Sequence, residues 1–110
     1  MVAGCVLALG AHGASAQRPG ADAPTLAQAL DRCMAVQAVR LTKTDIGDDE
    51  MYARAAEACR GVKERLAEKV GEDYPAAEGA QALREVEAQS RPGFMGMVDK
   101  VRGVRAGRGE

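Results

Sequence analysis

Apolar residues recur every three or four positions in four separate stretches of the chain, the period of one face of an α-helix. The first stretch carries Leu26, Leu30, Cys33, Val36 or Gln37, and Leu41. Thr25-Leu26-Ala27-Gln28 has the form of a capping box, which puts the start of this helix at Thr25. The second stretch opens near Asp45 to Asp49 and carries Tyr52, Ala55, Cys59, Val62, Leu66 and Val70, with Gly71 as its expected stop. Between them, residues 43–48 combine turn and capping residues without an apolar period. A third helix is predicted from Pro75 to about Gln89, with Pro75 in its first turn and a weak face of Ala76, Ala77, Ala80, Leu83 and Val86. Arg91-Pro92-Gly93 reads as a break. Beyond it Phe94, Met97, Val98, Val101 and Val104 or Arg105 give a short fourth segment, with Ala106 to Glu110 frayed.

The pattern predicts an all-α fold: an antiparallel helical hairpin over residues 25–70, a third helix over 75–89, and an amphipathic basic C-terminal segment over 91–110. The hairpin is expected to hold the fold, and the residues beyond Arg91 to open first.

One apolar run does not fit this period. Val2 to Ala11 is free of charge and has the length of a signal-peptide core, and Ala14-Ser15-Ala16 follows as a small-x-small cleavage pattern. Cleavage after Ala16 is expected, with residues 17–24 as a flexible lead-in to the domain. No Lys or Arg precedes the run, as would follow from a start site placed too far downstream. Val2-Ala3-Gly4-Cys5 resembles a lipobox, but here the apolar run follows the cysteine instead of preceding it. The expected location is therefore the periplasm or the medium.

Removal of residues 1–16 takes away His12, the only histidine, and Cys5. The remaining chain has no His, Trp or Asn, and Ser90 is its single serine. Without an imidazole, neither a Ser-His-Asp nor a Cys-His arrangement can be assembled, and His-based zinc sites are excluded with them. No enzyme activity and no cofactor are expected.

Cys33 and Cys59 remain, an even count in a compartment where disulfides persist. They are not a CxxC pair. Their midpoint is residue 46, inside the connecting loop, so in a folded-back hairpin each lies about 19 Å along its helix from the turn. A structural Cys33–Cys59 bridge is the expected consequence.

Hydrophobic residues make up 46% of the chain, but 22 of them are alanine, and only 19 residues are Val, Ile, Leu or Phe. The core is accordingly thin, which makes a bridge more valuable. Charge is unevenly spread: residues 17–44 sum to +2, residues 45–90 to −6 and residues 91–110 to +3. The basic end places Lys100, Arg102 and Arg105 beside Phe94, Met97 and Val101, a candidate contact surface for an anionic membrane or a protein partner. The more economical reading docks the apolar stripe on the hairpin and leaves the basic residues in water. Asp45, Asp48, Asp49 and Glu50 lack the ligand spacing of a calcium loop and instead suit the positive end of a helix dipole. Nucleic acid is a poor partner for an exported chain of net charge −1 with three aromatic residues. The functional expectation is a small exported helical protein that binds an unidentified protein partner in the envelope or medium, with a membrane-surface module as the alternative. The sequence leaves its oligomeric state open.

Overall fold

The computed structural model describes residues 21–110, and the signal-peptide reading of residues 1–16, with Cys5 and His12, lies outside them. The described residues form four helices and no strand: α1 (Ala23–Leu41), α2 (Asp48–Ala58), α3 (Arg60–Asp73) and α4 (Ala76–Gly107).

α1 starts two residues before the predicted capping box. Asp22 is the N-cap, its carboxylate accepting the Thr25 N–H at 3.0 Å, and Pro24 occupies the first turn, where a missing N–H costs nothing. Thr25 is therefore inside the helix, and residues 23–24 belong to the domain and not to a lead-in. At the other end, the Thr42 and Thr44 hydroxyls donate to the carbonyls of Val39 and Leu41, satisfying acceptors that the last turn leaves open.

The second predicted helix is two helices. Cys59, at φ −102° and ψ 10°, interrupts the α-helical backbone between α2 and α3. Its sulfur is bonded to that of Cys33, with the two Cα atoms 5.9 Å apart. Packed helix axes ordinarily stand about 8 to 10 Å apart, so a bridge requires a local close approach, and the backbone departs from the helix at the bridged residue. α3 also runs past Gly71 to Asp73. Its stop is Tyr74, held extended at φ −123° and ψ 149° because the residue before a proline is sterically kept out of helical geometry.

The largest departure is α4. The predicted break at Arg91-Pro92-Gly93 is absent, and a single 32-residue helix replaces the expected third helix and fourth segment. Pro92 removes one ladder hydrogen bond, at a cost of roughly 3 kcal/mol. Tertiary burial on both sides offsets it. Phe94 and Val98 are fully buried beyond the proline, and Leu83 and Val86 are half-buried before it. Pro92 itself is exposed. The chain end is capped: Gly109 at φ 75° lets its own N–H reach the Ala106 carbonyl and the Glu110 N–H reach that of Arg105, a Schellman motif where fraying was expected.

Two apolar clusters hold these helices together. In the larger, Met34 and Ala38 of α1, Met51 and Ala55 of α2, Cys59, and Phe94 and Val98 of α4 are buried together. In the smaller, Ala23 and Leu26 at the start of α1 pack with Leu66 and Val70 of α3, with Leu83 and Val86 alongside. α4 therefore contributes to both clusters, and the core is not confined to the first two predicted helices. At its first turn, Gly79 is buried against α3, where a Cβ would stand 3.4 Å from Val70 Cγ1, an ordinary contact distance.

Candidate binding groove

α4 spans both clusters and so runs along the length of α1. The gap between them is an open groove of about 470 Å³. α1 supplies Ala27, Leu30 and Met34 to its wall, and Leu66 of α3 reaches it from below. α4 supplies the opposite wall through Val86, Gly93, Phe94 and Met97. Polar groups are few and stand at the rim: Asp31 on one side, Glu85 and Gln89 on the other. An apolar, methionine-bearing floor with a sparse polar rim suits an adaptable apolar surface. No Lys or Arg lines it, so the rim is acidic.

Ser90 also borders the groove, and its hydroxyl lies 2.7 Å from that of Tyr52. Tyr52 is held from three sides. Its ring packs on Phe94 at 5.9 Å between centroids, and the Arg91 guanidinium lies 5.5 Å above it. Arg91 in turn pairs with Asp49. The acidic start of α2 thus faces α4 as well as its own dipole, and Asp48 meets Arg102 at 3.3 Å.

The residues singled out as a contact surface in the C-terminal segment are scattered by this packing. Phe94 is 1% exposed and belongs to the core, so it does not form part of an exposed C-terminal surface. Val101 is half-buried against the same cluster. Arg105 is half-buried too, donating to Thr42 Oγ1 at 2.5 Å and to the Val39 carbonyl at 2.9 Å, a cation on the negative end of α1. Arg102 is exposed and paired with Asp48, while Lys100 is exposed. Only Met97 and Phe94 of that set border the groove.

Leu30, Met34, Leu66, Gln89 and Gly93 are groove residues that the apolar periods did not distinguish from ordinary core or surface. Their shared location depends on where three helices cross. A partial signal was present: Leu83, Val86, Ser90, Phe94, Met97 and Val101 keep a spacing of three or four straight across Pro92.

A second cleft, of about 350 Å³, lies on the other flank of α1, between Thr25, Leu26 and Ala29 and the charged side chains Arg65, Glu68 and Lys69 of α3. Among the described residues, no group of three His, Cys, Asp or Glu is placed to hold a metal ion, and no helix is long and apolar enough to cross a membrane. No known family model, curated protein or solved structure matches the chain.

Proposed function

We propose that this chain is a small exported helical protein that acts by binding, without catalysis, and that the α1–α4 groove is its binding face. The observation that carries the reading is the groove itself: about 470 Å³ of open, largely apolar space on a protein whose total core is thin. The arrangement it implies is a mature chain beginning at Gln17, with α1 folded antiparallel to α2 and α3 as a bridged hairpin. The reversed order of the packed pairs supports this, since Leu26 meets Leu66 and Val70 whereas Met34 and Ala38 meet Met51 and Ala55. Export is supported by the signal-like N-terminus and by a Cys33–Cys59 bridge, since structural disulfides are characteristic of oxidising compartments. The burial of Phe94 and Val98 favours this reading over a C-terminal segment that adsorbs to lipid, because that stripe is already engaged.

Photo-crosslinking in the native cells tests it. A photoreactive side chain at Gln89, exposed on the groove rim, is expected to capture a macromolecule, and the same group at Glu57, exposed on α2, is expected to capture none. Absence of any adduct at Gln89, or equal capture at both positions, would overturn the reading.

A further inference from the structure

We propose that the occupant of the groove is a second copy of this chain, with α4 of each protomer lying antiparallel across the groove of the other. The inference rests on the groove being the binding face. Its first support is charge. The groove rim is acidic through Asp31 and Glu85, and the same exposed flank of α4 carries Lys100, which makes no ion pair among the described residues. Glu85 and Lys100 stand equally far, about 11 Å along the helix axis, on either side of the 92–93 peptide bond. A two-fold axis level with that bond, running between the two helices, brings Glu85 of each copy level with Lys100 of the other, so the surface is complementary to itself, as an isologous dimer requires. Two identical ion pairs then close the contact at its ends.

The second support is what lies between those charges. Glu85, Gln89, Gly93, Gly96, Lys100 and Gly103 follow one another at spacings of three or four, forming a single exposed stripe. Within the chain's own fold a Cβ at Gly93, Gly96 or Gly103 would meet nothing within 4 Å. Each glycine nevertheless disfavours the helix relative to alanine. Close approach of a partner helix gives their missing side chains a use, with Gln89 of one copy over Gly96 of the other.

Sedimentation equilibrium of the oxidised native chain across a concentration series tests the proposal. A reversible dimer is expected. Lys100→Glu and Glu85→Lys should each weaken it by about tenfold or more, since each turns two attractions into repulsions. The double swap should restore association to within about threefold of the native value. Both sites are exposed on a stable helix, and circular dichroism of the variants should be unchanged. A chain that stays monomeric up to roughly 1 mM, about the weakest association the method resolves, would overturn the proposal. So would a dimer that both single reversals leave intact. A monomeric chain whose Gln89 adduct contains a different molecule would overturn the second copy while leaving the groove as the binding face. A monomer with no adduct would remove both.

Discussion

The Tyr52 hydroxyl lies 2.7 Å from the Ser90 hydroxyl, joining α2 to α4 one turn before Phe94 enters the core. The contact sits two residues before Pro92, where the ladder of α4 is weakest. It therefore holds the helix to its neighbour at the point where its own backbone does so least. Tyr52→Phe and Ser90→Ala should each cost about 1 kcal/mol, and the double variant little more than either alone. Chemical denaturation of the four proteins measures this. Fully additive losses would show that the two hydroxyls act independently.

The Cys33–Cys59 bridge closes a loop with a sequence separation of 26. The chain-entropy model assigns such a loop about 3 to 4 kcal/mol. Cys33→Ala with Cys59→Ala should lower stability by that order, a large share of what a domain with so few large apolar residues has. A loss below about 1 kcal/mol, read from denaturation midpoints, would mean that the apolar clusters hold the helices without it.

Phe94 is the largest fully buried side chain. Phe94→Ala should cost about 3 to 5 kcal/mol, comparable to Leu66→Ala at about 2 to 5 kcal/mol in the smaller cluster. Thermal unfolding of both variants checks whether the two clusters carry similar weight. A near-neutral Phe94→Ala would place the C-terminal half outside the core.

Pro92→Ala restores a missing donor inside α4 at an exposed position. It should stabilise the chain, by up to about 3 kcal/mol, and raise helix content little. No change in stability would indicate that the backbone already departs from the helix there.

How far these features could be read in advance follows from what each depends on. The four apolar periods and the pairing of Cys33 with Cys59 depend on spacing along the chain, and spacing is legible. The stop at Tyr74 was legible too, through the proline that follows it, but glycine at position 71 was the more conspicuous signal. The continuity of α4 was not, because Pro92-Gly93 is locally unfavourable in a helix and only the burial of Phe94, Val98, Leu83 and Val86 against three other helices outweighs it. The interruption at Cys59 depends in the same way on a contact with a residue 26 positions away. The groove was least legible of all. It is the space left where α1, α3 and α4 cross, and no one of its residues announces it.

Hydrogen exchange of the oxidised chain tests the central claim, that α4 completes the core and thereby holds open the groove beside α1. Amides of residues 94–101 should be protected to the same degree as those of residues 51–59, with no drop in protection on passing Pro92 beyond the one amide that proline lacks. Rapid exchange from Gly93 onward, with protection confined to α1, α2 and α3, would contradict it: the C-terminal half of α4 would then be a loose segment, and the groove would lack its second wall.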